Sequence, residues 1–136
     1  MISLRETKPK GAEPREDLEF EIQFFEGIAR RDPTYIEALQ ILGDAYTKSG
    51  QWDKGLLIDK RLAKLCPENP LVFYNLACSY SLVNQLDRAI AALRKAVKLG
   101  YNDAQWLNKD PDLENLRRDS RFEAIRSNLE QKRTEN

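Results

Sequence analysis

The residues in this sequence best suited to chemistry are few: two cysteines, Cys66 and Cys78, an acidic run of Asp110, Asp112 and Glu114, and isolated carboxylates such as Glu37 and Asp44. A structural zinc site generally takes four cysteine or histidine ligands, and the chain has two cysteines and no histidine, so no metal is expected. The acidic run lacks the glycine turn and ligand spacing of a calcium loop, and acids in the first turn of a helix explain it more simply. The missing histidine also removes the commonest general base and the usual base of a catalytic triad. Cys78 has no basic neighbour in sequence to lower its pKa and reads as a small semi-buried side chain. Nothing marks Glu37 or Asp44 as buried or coupled, and there is no glycine-rich phosphate loop or nucleophile elbow. The expectation is no catalytic residue, no cofactor and no enzyme.

The elements that must position these residues belong to a chain of 136 residues, the length of one ordinary domain, with 41% apolar residues to build a core. Its 22 basic and 22 acidic residues cancel, which removes the long-range positive field that phosphate backbones require and argues against nucleic acid. Two thiols do not make a secreted disulfide framework, so both are expected to be reduced. The charged N-terminus does not resemble a secretory signal, and no stretch approaches the ~18 apolar residues of a membrane span. A cytoplasmic protein without membrane contact is expected.

The sequence repeats itself. Gly43 and Ala77 stand 34 apart (77 − 43), and the same interval joins Leu42 to Leu76, Tyr46 to Tyr80, Gly55 to Ala89 and Pro33 to Pro67. Within each period the apolar residues fall at helical spacing: Leu39, Leu42 and Tyr46, then Phe73, Leu76 and Tyr80, then Ile90, Leu93 and Val97. Two amphipathic helices per period follow. Thr34 with Glu37, and Asn69 before Pro70, predict helix starts. Gly50 and Asn84, also one period apart, are the residue types that best tolerate a left-handed helix end. The small residues Gly43, Gly55, Ala77 and Ala89 would face one another across each hairpin and let the backbones approach closely.

These residues resemble the tetratricopeptide repeat, a 34-residue helix-turn-helix with a large apolar residue, Leu-Gly or Leu-Ala, Tyr, a small residue and a closing proline. Leu39, Leu42-Gly43, Tyr46, Gly55 and Pro67 carry the likeness in one repeat. Phe73, Leu76-Ala77, Tyr80, Ala89 and Ala96 carry it in the next. Leu62 stands where the family prefers alanine, and Tyr101 replaces the closing proline, where the regular array should stop. The resemblance implies an all-α, right-handed solenoid of stacked helical hairpins, about two and a half repeats plus a C-terminal cap. The divisions are a disordered tail over 1–15 and one domain over 16–130, followed by a disordered tail over 131–136. Within the domain lie a half repeat 16–33 that resembles only a second helix, repeats 34–67 and 68–101, and a cap 102–130. The cap resembles the degenerate tail after repeat arrays in many bacterial proteins of the family, with Asp110-Pro111 and Ser120 with Glu123 as helix starts. Trp106, Leu113, Leu116, Phe122 and Ile125 would cover the last hairpin. Trp52 matches an aromatic that packs inside the hairpin.

The family implies a non-catalytic adaptor that holds a peptide or partner protein on its concave face. Groove positions carried over by register are Glu37, Gln40, Asp44, Thr47 and Lys48, then Leu71, Tyr74, Asn75, Cys78, Ser81 and Leu82, with Tyr74 and Leu71 the strongest. Only Asn75 matches the subclass that grips chaperone carboxylate tails, and Asp44 would repel such a ligand. Phe20 and Phe24 fall on the outward side of the half repeat. There they predict a homodimer or partner contact, unless a tail segment such as Ile2 to Leu4 folds over them.

Overall fold

The computed structural model describes residues 15–135, and the expected tail over 1–15, including Ile2 to Leu4, lies almost wholly outside them. The chain forms α1 (Arg15–Arg31), α2 (Ile36–Lys48), α3 (Trp52–Leu65), α4 (Pro70–Leu82), α5 (Leu86–Lys98) and α6 (Ala104–Lys109). A 3-10 helix (Pro111–Leu116) and α7 (Ser120–Glu135) complete it. The described residues contain no strand, in keeping with the all-α reading. Where length alone predicts one unit, contacts divide the chain into two compact units, one ending at Pro67 and the other starting at Glu68. That division coincides with the boundary between the two repeats, because each hairpin buries its seam of small residues within itself.

In the first unit α2 lies between α1 and α3. Leu18, Ile22 and Ala29 bury the inner stripe of α1, and α2 contributes Ala38, Leu39, Leu42, Ala45 and Tyr46 to the core. A Cβ added at Gly55 would stand 3.6 Å from the Gly43 carbonyl oxygen and 3.1 Å from Thr47 Oγ1, while one at Gly43 would meet Ile58 Cγ2 at 3.2 Å. Absent side chains therefore set the approach of α2 to α3, as the spacing predicts. The expected capping box of Thr34 and Glu37 does not form. Both the amide and the hydroxyl of Thr34 donate to Asp32 Oδ1, at 3.1 and 2.8 Å, and the cap position falls to Tyr35, so α2 starts without a side-chain cap.

Three helix ends share one device. The amides of Gly50 and Gln51 donate to Thr47 and Tyr46 carbonyls, those of Asn84 and Gln85 to Ser81 and Tyr80, and those of Gly100 and Tyr101 to Val97 and Ala96. This paired bonding satisfies carbonyls that a helix end leaves open and needs a left-handed residue at its centre. Gly50, Asn84 and Gly100 supply it, with φ of 81°, 61° and 116°.

In the second unit Asn69 Oδ1 accepts from the amides of Leu71 (2.9 Å) and Val72 (3.4 Å) and caps α4, with Pro70 in its first turn. Ala77 and Ala89 are fully buried in the α4–α5 hairpin. The C-terminal segment then packs through Leu107, Leu113, Leu116 and Phe122. Its last helix starts differently from the Ser120 and Glu123 expectation. Asp119 Oδ1 accepts from the Arg121 amide and Nε, its Oδ2 accepts from Arg121 Nη2 at 2.7 Å, and Glu123 pairs with Arg126. These bonds to Arg121 hold the Asp119 carboxyl down at about 2. Buried Leu129 and a 2.9 Å bond from Asn108 Nδ2 to Glu130 tie down the turn before residue 131. Consequently α7 runs on to Glu135, through the stretch expected as a disordered tail.

The glycines of α1 and α2 should respond oppositely to substitution. Gly43→Val should lower unfolding free energy by about 1–3 kcal/mol through overpacking. Gly27→Ala, whose Cβ would meet nothing within 4 Å, should raise it by up to about 1 kcal/mol through helix propensity. Urea midpoints of the two variants check both signs.

Candidate interaction surface

Three of the α4 residues expected to line an open groove are instead sealed. Tyr74, Cys78 and Ser81 are each 0% exposed, because the segment after Tyr101 lies against α4. Tyr101, the departure from the closing proline, stacks its ring on Tyr74 with centroids 4.3 Å apart. Asp110, 2% exposed, accepts the Tyr74 hydroxyl at 2.6 Å and the Cys78 thiol at 3.6 Å on Oδ2. Its Oδ1 accepts the Asp112 amide at 2.9 Å. The Arg117 guanidinium donates to the Asp110 carbonyl at 2.7 Å and brings positive charge beside it. Asn115 Nδ2 reaches the Ser81 carbonyl at 2.8 Å. Burial pushes the Tyr74 phenol far above its ordinary value, and Cys78 and Asp110 beside it push the same way, so it remains a proton donor.

Sequence reasoning kept Cys78 and the acidic run apart, whereas the fold brings Cys78, Asp110 and Asp112 together with one ligand atom of each within 4.8 Å of the others. Three donors of mixed hardness could in principle hold a cation. Here both oxygens of Asp110 already accept protein hydrogens, two of them on Oδ2. A cation would have to displace the phenol and thiol protons, and the arrangement is that of a structural latch. The signal in the sequence was Tyr101, an aromatic one position beyond a left-handed glycine and in reach of another tyrosine.

The α2 residues are partly withdrawn as well. Asp44 is 6% exposed and pairs with Lys48 at 2.9 Å, and its Oδ1 has no hydrogen-bond partner among the described residues. Thr47 is buried and donates to the Gly43 carbonyl at 3.0 Å. Glu37 is exposed and Gln40 half-buried, as are Leu71, Asn75 and Leu82 of α4.

The large exposed apolar side chains lie elsewhere. Phe20 and Phe24 of α1 are 72% and 54% exposed, and their rings lie nearly parallel with centroids 6.4 Å apart. Phe25 meets Phe24 edge-on at 5.1 Å. Leu57 and Tyr35 are exposed too, and so is Trp52, expected in the core and found 44% exposed. Trp52 is the first residue of α3, and the small-residue seam begins only with Gly55.

Two substitutions separate the latch from its surroundings. Tyr74→Phe should cost about 1–3 kcal/mol, because it strips a donor from a buried carboxylate. Ser81→Ala should be neutral or stabilising, since Ser81 Oγ is buried without a partner among the described residues. Thermal or urea unfolding of both variants reads this difference directly.

No protein-family model matches the chain. Over 100 residues it is 35% identical to a chloroplastic protein of Arabidopsis thaliana, a match covering 71% of this chain and 28% of that protein. The chain thus spans under a third of the length of that relative. Among solved structures it is similar to MamA 41-end from Desulfovibrio magneticus RS-1, at 18% identity and a TM-score of 0.65 over 86% of this chain and 68% of that one. A MamA RS-1 ArsTM double mutant gives 19% and 0.66 over 88% and 70%. The 34-residue period, the paired hairpins with their small-residue seams and this structural likeness together identify the fold as that of the tetratricopeptide repeat.

Proposed function

We propose that the chain is a non-catalytic protein-interaction module whose principal contact is the Phe20–Phe24 ridge of α1. The carrying observation is that two stacked phenylalanines stand more than half exposed on a helix whose opposite stripe, Leu18, Ile22 and Ala29, is buried. Covering a phenylalanine side chain is worth about 1.5–3 kcal/mol, and two adjacent exposed rings give a partner a contiguous apolar surface to cover. The buried polar cluster around Asp110 supports the non-catalytic reading, since its protons and acceptors are spent on one another. No helix among the described residues is long and apolar enough to cross a membrane.

The partner is another protein, with a second copy of this chain as the alternative occupant of the same ridge. Glu37, Gln40 and Lys48 of α2 and Leu71, Asn75 and Leu82 of α4 remain proposed contacts for an extended peptide. Tyr74 and Cys78 are withdrawn from that set, and the polar character of what remains makes it the lesser surface.

A Phe20→Asp, Phe24→Asp variant tests the ridge. Sedimentation velocity of the wild type against the variant should show loss of a dimer if the occupant is a second copy. Co-purification from native cells should show loss of a specific partner if it is not. Unchanged sedimentation together with an unchanged partner set would refute the ridge.

A further inference from the structure

The first unit carries a second feature on different residues. A cleft of about 370 Å³ opens between α1 and α3, floored by Ala29, Pro33, Leu42 and the Tyr46 ring, with Arg30 on one rim and Arg61 on the other. Lys54 of α3 adds a third cation, its Nζ 5.7 Å from the centre of the Tyr46 ring. The acid among the lining residues is Glu26, and its carboxylate accepts the Tyr46 hydroxyl. Among the described residues none of Arg30, Lys54 and Arg61 has a carboxylate within ion-pair distance. Two guanidinium groups thus line a partly apolar trough in which one carboxylate is already engaged, with the Lys54 ammonium near the Tyr46 ring. In a chain of zero net charge, that is a local excess of positive charge among the described residues.

We infer that this cleft is a docking site for an acidic segment of a partner protein, in which side-chain carboxylates bridge Arg30 and Arg61 and an adjacent apolar side chain rests on Ala29 and Leu42. Guanidinium groups on opposite rims suit carboxylates, which they bind in paired, charge-assisted hydrogen bonds. The Lys54 ammonium, 5.7 Å from the centre of the Tyr46 ring, adds positive charge near one of the lining residues. The volume falls within the range of specific ligand sites, and the cleft is broadly open to solvent. The Tyr46 phenol is held well above its ordinary value, by burial first and by Glu26 second, with Arg30 pulling the other way. It therefore stays protonated and holds the Glu26 carboxylate in place, and against that one negative charge the cleft lining sets the two positive charges of Arg30 and Arg61. The inference is independent of the Phe20–Phe24 ridge, which uses other side chains of α1.

The test is fluorescence anisotropy of the full chain with a labelled peptide of glutamates around one leucine, N-acetylated and C-terminally amidated so that only side-chain carboxylates are acidic. Saturable binding at low ionic strength is expected, with affinity falling as salt rises. Arg30→Glu with Arg61→Glu should weaken it at least about tenfold, and Arg30→Lys with Arg61→Lys should weaken it less. Arg88→Glu with Arg118→Glu makes the same charge change in the other unit and should leave it within about twofold. Circular dichroism confirms that each variant is folded. Absence of saturable binding would overturn the inference, as would equal losses in the two charge-reversed variants. Binding that survives Phe20→Asp with Phe24→Asp supports the cleft whatever becomes of the ridge, and binding lost with those changes refutes its independence.

Discussion

One buried carboxylate organises the chain from Glu68 onward. Burying an ionised group is costly unless its hydrogen-bonding capacity is met, and Asp110 meets it with a phenol, a thiol and an amide drawn from α4 and the 3-10 helix. Because the phenol and the thiol come from residues 36 and 32 positions upstream, the carboxylate is fully satisfied only when the C-terminal segment is seated on α4. The same seating stacks Tyr101 on Tyr74 and buries Leu107, Leu113 and Leu116. A polar requirement selects one arrangement, and the apolar contacts supply most of its strength. The functional consequence is subtractive: Tyr74, Cys78 and Ser81, expected to face a ligand, are covered by the chain itself.

The two hairpins reach similar geometry with different residues. Gly43 and Gly55 let α2 and α3 approach until backbone and β-carbon are neighbours, whereas Ala77 and Ala89 fill the corresponding places between α4 and α5. Glycine in a helix interior carries a propensity cost of about 1 kcal/mol relative to alanine, so its retention in the first hairpin reflects packing against Ile58 and Asp59. The turns follow the same pattern, with Gly50 in one repeat and Asn84 in the other adopting the left-handed conformation the bonding scheme demands.

Those features were legible in the sequence because the backbone dictates them: a left-handed turn or a close approach restricts residue type at one position and repeats with the period. The Asn69 cap was legible for the same local reason. The boxes read at Thr34 and Ser120 failed because a neighbouring aspartate, Asp32 or Asp119, offers two acceptor oxygens and captures the available donors first. The groove was misread at a different level. Register along α4 correctly placed Tyr74 and Cys78 on one face, but period alone does not say whether a non-repeating segment will cover that face. Trp52 was assigned to the core from its place after the turn, although the seam begins a turn later. The cleft between α1 and α3 was invisible in sequence, since Arg30 and Arg61 come to line one cleft only through packing.

Reactivity of Cys78 reports most directly on whether the cap is closed over α4, because its sulfur lies beneath Asp110 and is 0% exposed. On a Cys66→Ser background, with the half-buried thiol removed, the rate of modification by an aromatic disulfide reagent in native buffer is the measurement. A latched cap predicts modification at least about a hundredfold slower than a free thiol, accelerating with denaturant in step with unfolding. Modification at the free-thiol rate in the folded protein would contradict it, and would return the α4 face to the surfaces open to a partner.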